Sequence, residues 1–172
     1  HGLVIFHPDS LEENNFVPPV VITQFYVNNH ELPVKGPDAD TSRSSSPLER
    51  TISSTHTIQL AFNQNDFNLE FASLSYINPE RNKYKYKLEP YQKEWIETTA
   101  SDRVASYTNI DPGMYTFSVI GSNNDGIWNE EGAKLTIIIS PPWWKTWWAY
   151  CFYALAIATL IVYWRNYEIK RL

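Results

Sequence analysis

Apolar and polar residues alternate along most of the chain before Pro141, and a period of two predicts β-strands. Val20-Val-Ile-Thr-Gln-Phe-Tyr-Val27 is a β-branched and aromatic run; Asn28-Asn29, a pair suited to a tight turn, leads into Glu31-Leu-Pro-Val34, so a short hairpin is expected. Thr57-Ile-Gln-Leu-Ala-Phe62 and Phe67-Asn-Leu-Glu-Phe71 set their apolar residues two apart on one face. The alternation is plainest in Lys83-Tyr-Lys-Tyr-Lys-Leu88, where Tyr84, Tyr86 and Leu88 point to a core and three lysines to solvent. Such lysines are expected on an edge strand, where they discourage stray pairing. Val104 to Asn109, Tyr115 to Val119 and Leu135 to Ile139 complete a set of about seven strands.

Turn chemistry agrees. Asp111-Pro112-Gly113 joins two strands, with Gly113 expected to supply a positive φ, and Tyr115 follows at the spacing of a tyrosine corner. Asn123-Asn-Asp-Gly126 is a second tight reversal, and Gly36 to Arg50, poor in apolar side chains, is expected to be a mobile loop. With no amphipathic helical period before residue 143, the fold class is all-β: an antiparallel β-sandwich of immunoglobulin or fibronectin type III kind.

At Pro141 the period changes. From Trp147 to Trp164 run eighteen residues without a formal charge. As a helix they reach about 27 Å, close to the ~30 Å hydrocarbon core of a bilayer. Trp143, Trp144, Trp147 and Trp148 crowd one end and Tyr163 and Trp164 the other, the depths at which amphipathic rings settle in a membrane. A buried core helix would be shorter and lack these girdles, and a cleaved lipid-anchor tail would not finish in Arg165-Asn-Tyr-Glu-Ile-Lys-Arg-Leu172. One transmembrane helix is therefore expected. Arg165, Lys170 and Arg171 behind it, against Lys145 before it, put residues 165–172 in the cytoplasm and residues 1–142 outside. With no initial Met and no helix stop at its end, the chain is expected to be a piece of something longer.

Charge divides at the same boundary. Residues 1–142 hold 18 acidic and 10 basic side chains, and residues 143–172 hold one and four. An acidic outer portion is a poor partner for nucleic acid. Cys151, the single cysteine, falls within the apolar run, so no disulfide or thiolate metal site forms within one chain. His1, His7, His30 and His56 lack ligand spacing, no Gly-rich phosphate loop is present, and no reaction motif singles out a carboxylate pair. Neither a catalytic site nor a cofactor is expected in this piece. Tyr91, Trp95 and Trp128 fall near expected loops, where exposed aromatic rings could stack on a sugar; the plainer expectation is that Trp95 and Trp128 cap the ends of the core.

In order, Pro18-Pro-Val-Val-Ile-Thr23, Phe71-Ala-Ser-Leu-Ser-Tyr76, Tyr84-Lys-Tyr-Lys-Leu-Glu89 with Trp95, and Tyr107-Thr-Asn109 form one series of motifs. Pro112-Gly-Met-Tyr115, Ser122-Asn-Asn-Asp-Gly-Ile-Trp128 and Pro141-Pro-Trp-Trp-Lys-Thr-Trp-Trp148 continue it. The series resembles the triple-tyrosine (Y_Y_Y) domain, the last extracytoplasmic module of hybrid two-component sensors that carry a β-propeller before it. The resemblance implies residues 1–17 as the last strand and exit of a propeller, 18–142 as the Y_Y_Y sandwich, 143–164 as the Trp cluster and span, and 165–172 as the start of a cytoplasmic helix. It implies Tyr84, Tyr86, Leu88, Tyr107 and Tyr115 as motif core residues. Pro90 is a departure, since the family usually has Gly between the Leu-Glu pair and the Trp. The resemblance further implies a homodimer, a histidine kinase beyond the bacterial inner membrane and transcriptional control of polysaccharide use. Oligosaccharide ligands would act mainly through the propeller.

Two functions are thereby expected to compete. In the first the sandwich relays a displacement to the span; Pro141, Pro142, Trp143, Trp144, Trp147 and Trp148 would then couple and anchor, because two prolines stiffen a junction that has no Gly/Ser linker. In the second it is a membrane-tethered carbohydrate-binding or adhesion domain.

Overall fold

The computed structural model describes residues 14–32 and 52–171. Two sheets face each other. The first has the order β2-β1-β4-β7, from β1 (Val20–Val27), β2 (His30–Glu31), β4 (Phe67–Ser73) and β7 (Val104–Tyr107). The second has the order β3-β9-β8-β5-β6, from β3 (Thr57–Leu60), β5 (Lys83–Glu89), β6 (Ile96–Thr99), β8 (Gly113–Ser122) and β9 (Trp128–Ile139). A 3-10 turn over Trp143–Lys145 then leads into the helix α1 (Trp147–Arg171). The mobile loop expected over Gly36–Arg50 and the propeller strand expected at the N-terminus lie outside the described residues, apart from residues 14–17, which lead into β1 without forming a strand.

The hairpin β1–β2 turns on Asn28 and Asn29, both in the left-handed region at φ 49° and 65°, a two-residue turn whose twist suits an antiparallel pair. Rings pack in sequence between the sheets: Phe25 on Phe67 (5.7 Å), Phe67 on Tyr107 (5.5 Å), Tyr107 on Phe117 (6.4 Å) and Phe117 on Phe71 (6.2 Å). Phe71 in turn meets Tyr84 at 5.4 Å and Tyr86 at 5.6 Å. The hydroxyl oxygens of the buried tyrosines find partners. Ser73 N–H donates to Tyr84 Oη at 3.1 Å, and Tyr115 Oη donates to the Asp111 carbonyl at 2.9 Å, which is the expected tyrosine corner.

Four expectations need correction, and one strand was not expected. The sandwich is not wholly antiparallel: β3 runs parallel to β9, from Thr57↔Thr136 to Leu60↔Ile139, since β3 follows a strand of the opposite sheet and no hairpin to β9 imposes the antiparallel sense. Strand β5 is not an edge. It lies between β8 and β6, and its lysines lie along an outer face instead of guarding a free border. β6 itself escapes the period-two pattern, since Ile96-Glu-Thr-Thr99 has no buried residue and exists by pairing with β5. The left-handed residue before β8 is Asn109 (φ 53°), while Gly113 already lies in the strand. Phe62 does not continue the inward set of β3; Ile58 and Leu60 are buried, but a turn closed by Gln64 N–H on the Ala61 carbonyl lifts the Phe62 ring outside.

A bulge interrupts the β8–β9 register between Val119 and Gly121, and Gly132 sits opposite at φ 58°. A Cβ on Gly132 would stand 2.1 Å from the Val119 carbonyl oxygen, whereas one on Gly126, at φ 86°, would meet nothing within 4 Å. Gly126→Ala is therefore expected to cost only the left-handed penalty of about 1–2 kcal/mol, and Gly132→Ala distinctly more, because the bulge must move as well. Urea unfolding of the two variants in detergent, followed by tryptophan fluorescence, checks the order.

Candidate functional site

The turn between β8 and β9 grips the segment that leads into β1. Asn123, buried, accepts from the N–H groups of Asp125 (3.0 Å) and Ile127 (2.9 Å) through Oδ1, which shapes the turn. Its Nδ2 donates to the carbonyls of Phe16 (2.9 Å) and Asn14. Asn14 answers with its backbone N–H on Asp125 Oδ2 and its Nδ2 on Asn124 Oδ1, each at 2.8 Å. Asn129, the second residue of β9, donates from Nδ2 to the Pro18 carbonyl at 2.9 Å. Leu74 N–H adds a bond to the Pro19 carbonyl at 2.8 Å. The Asn-Asn-Asp-Gly motif thus supplies more than a reversal. Sequence alone shows its turn-forming chemistry and not that its amides point back to a segment over a hundred residues earlier.

The other end of β9 is fastened as closely. Ser140 N–H donates to the Leu60 carbonyl at 2.9 Å, extending the β3–β9 ladder past the strand end. Pro142 keeps extended geometry (φ −65°, ψ 147°) before the 3-10 turn, whose Trp143 carbonyl accepts from Thr146 Oγ1. Rings then connect the sandwich to the helix: Phe62 edge-on to Trp144 (5.0 Å), Trp144 edge-on to Trp143 (5.5 Å), and Trp143 stacked on Trp148 (6.5 Å). Ala149 is buried at the start of α1 although the rest of that helix is almost wholly exposed. Four expected coupling residues, Pro141, Pro142, Trp143 and Trp144, lie in this junction, and Trp147 and Trp148 open α1. Phe62 was not foreseen as their partner, because its alternation with Leu60 pointed to the core.

The aromatic trio proves divided. Trp95 and Trp128 are not core caps: both flank the outer face of the five-stranded sheet, where Lys87 Nζ lies 4.9 Å from the Trp95 ring centre and Lys85 Nζ 4.9 Å from that of Trp128. Glu97 pairs with Lys85 at 2.7 Å and Glu89 pairs with Lys87, so each ammonium sits between a ring and a carboxylate. Lys85 holds the exposed Glu97 carboxyl below the usual carboxylate range. Tyr91 is elsewhere, edge-on to Tyr107 at 6.1 Å. Tyr107 donates to Gln92 Oε1 at 3.0 Å, and Leu88 N–H shares that oxygen at 3.1 Å, which ties the turn after β5 to the core. Pro90, the departure from the motif, lies in this turn after a cis Glu89–Pro90 peptide. Burial pushes the Tyr107 phenol well up. Among the described residues no three His, Cys, Asp or Glu side chains gather as a metal site.

Residues 75–140 match the Y_Y_Y domain family. The chain carries a Y_Y_Y domain. Over 161 residues it is 36% identical to histidine kinase P4 of Formosa agariphila, a match that covers 94% of this chain and 11% of that protein. The chain thus spans about a tenth of that relative's length. The extracellular domain of the B. thetaiotaomicron system BT4673, described in one crystal structure as a one-component and in another as a hybrid two-component system, is 28% identical. The first superposes with a TM-score of 0.61 over 76% of this chain and 16% of that one. The extracellular domain of BT3049, described as a hybrid two-component system from the same organism, is 31% identical with a TM-score of 0.53, over 73% of this chain and 16% of that one.

Within the Y_Y_Y domain, the tyrosines that the resemblance singles out sit in or against the core: Tyr84, Tyr107 and Tyr115 are buried with Leu88, and Tyr86 packs against them. Asn123 is the more informative residue, because its two ends do different work. Asn123→Asp keeps an acceptor for Asp125 and Ile127 but loses the donors to Asn14 and Phe16. Asn123→Ala loses both, at about 1–3 kcal/mol for the stranded buried groups. Hydrogen exchange is expected to show fast amides at Asn14 in both variants, with Asp125 and Ile127 still protected in Asn123→Asp only.

Proposed function

We propose that this chain is the juxtamembrane relay of a two-component sensor, passing a ligand-induced displacement from a preceding propeller through one helix to a cytoplasmic histidine kinase that controls transcription. One observation carries the proposal. A single strand, β9, is bound at its first turn to the lead-in segment through Asn129 and runs at its last residue, through seven residues, into α1. Input and output share one element. Because β9 is paired with β8 on one side and with β3 on the other toward its end, a shift at residues 14–18 is more easily met by moving the hairpin as a body than by bending it.

On this proposal α1, whose Trp147–Ile169 stretch of 23 residues is long and apolar enough to cross a membrane, spans the bacterial inner membrane once. Residues 1–142 are periplasmic and 165–172 cytoplasmic. The receptor is a homodimer in which an oligosaccharide, held mainly by the propeller, shifts the population of two arrangements of paired modules. Its relatives' roles in two-component signalling support this, as does the stiff junction at Pro141-Pro142. The tethered-lectin alternative is weakened by the lysines, which lie across the rings of Trp95 and Trp128 that a sugar would need.

A flexible Gly-Ser insertion between Ser140 and Trp143 in the full receptor is expected to leave ligand affinity intact and abolish ligand-dependent kinase phosphorylation, measured in membranes. Unchanged phosphorylation would sink the relay. Calorimetry with oligosaccharides on the chain in detergent addresses the alternative, which requires binding that Trp128→Ala removes without unfolding.

A further inference from the structure

The β3–β4 loop, Ala61 to Asp66, is polar except for Ala61 and Phe62, and Phe62 is 40% exposed. Its display is built, not accidental. Ala61 N–H donates to Gln64 Oε1 and Gln64 N–H to the Ala61 carbonyl, each at 2.9 Å, while Asp66 Oδ1 accepts from Asn109 N–H. The turn is therefore closed and its carboxylate engaged, leaving the ring as its apolar feature. Among the described residues the ring it meets is Trp144, at 5.0 Å, and Trp144 lies three residues before α1.

The chain between β9 and α1 is short. Its seven residues, three of them in the 3-10 turn, span about 20 Å at most. If Trp147 and Trp148 mark the membrane boundary, the base of the sandwich lies within that reach of the headgroup layer, which is about 5–7 Å deep on each side, and the contact of Phe62 with Trp144 brings the β3–β4 loop to it. Phe62 continues the aromatic girdle of α1 from a different part of the chain.

We propose that Phe62 is a membrane-surface anchor: its ring, edge-on to Trp144, seats the β3–β4 loop in the headgroup layer of the bilayer that α1 crosses. The occupant of this surface is lipid, and neutral lipid suffices, because no lysine or arginine lies between Ala61 and Asp66 and the single Lys145 of the adjoining 3-10 turn is too little basic charge to select anionic headgroups. The inference rests on the spanning reading of α1. It goes beyond it in fixing the sandwich itself to the bilayer at a second point, so that tilting the sandwich must drag Phe62 through the interface or lift it out.

The test uses the whole chain with Cys151→Ser, reconstituted in phosphatidylcholine vesicles. A fluorophore is placed at Asn63→Cys, or at Tyr76→Cys in the far loop, or at Leu155→Cys in mid-helix, and quenched by lipids carrying a nitroxide at the headgroup or the acyl chain. Headgroup quenching is expected at position 63 and not at 76, unaffected by added anionic lipid or salt. Phe62→Ser is expected to lower quenching at 63 to the level at 76, while Phe62→Leu retains it. If 155 is quenched by the acyl-chain probe but 63 by neither, the anchor is overturned and the span stands. If 155 is not quenched, both fall. Equal quenching at 63 with Phe62→Ser also overturns the anchor, as do disulfides between chains at unlabelled Asn63→Cys, which would show a second copy covering Phe62.

Discussion

The register of β9 is the constraint on which the rest depends. Its twelve residues pair with β8 from Ile139↔Gly113 to Trp128↔Ser122, and its last four pair also with β3. A central strand cannot slip by one residue without turning Leu135, Ile137 and Ile139 out of the core and Thr136 and Ile138 into it. The bulge at Val119, made possible by Gly132, further locks it against sliding. Whatever α1 does must therefore be consistent with a strand that has little freedom of its own, and whatever moves residues 14–18 pulls on that same strand through Asn129 and on its partner through Asn123.

Residues that serve the fold and residues that serve its connections separate cleanly. Tyr84, Tyr107 and Tyr115 belong to the interior, where desolvation raises the Tyr107 phenol and Tyr84 and Tyr115 hold backbone groups. Asparagines belong to the two ends, as left-handed turn formers at Asn28, Asn29 and Asn109 and as amide clamps at Asn123 and Asn129. Tryptophans mark surfaces: Trp95 and Trp128 beneath lysines on the outer sheet face, and Trp143, Trp144 and Trp148 along the path to α1. The ring and lysine pairs cover apolar area without adding to the core, which explains how a sheet face can hold two large indoles and remain polar.

Much of the fold was legible because period-two alternation is a direct imprint of one buried face. It places β1, β4, β5 and the inner half of β9 within a residue or two. It fails where pairing and not burial makes the strand, as in β6, and where a turn overrides parity, as at Phe62. The same limit applies to the lysines of β5: alternation assigns them to the outside but cannot say that another strand lies beyond them. The end of the sandwich near Pro141-Pro142 and the start of a long apolar helix soon after it were legible from the change of period. The grip of Asn123 on Asn14 and Phe16 was not, since a side-chain amide leaves no periodic trace and its partners are backbone carbonyls, which every residue has.

The chain enters β1 at one end of the sandwich and leaves β9 at the other, next to α1. Twelve strand residues at about 3.3 Å each separate those ends by roughly 40 Å. With α1 in a bilayer, the sandwich would be a pedestal, with Asn14 at a height comparable to the thickness of the membrane itself. A lever of that length turns a few degrees of lean at its foot into a displacement of several ångströms at its head, and the reverse exchange lets a modest shift above become a fine rotation below.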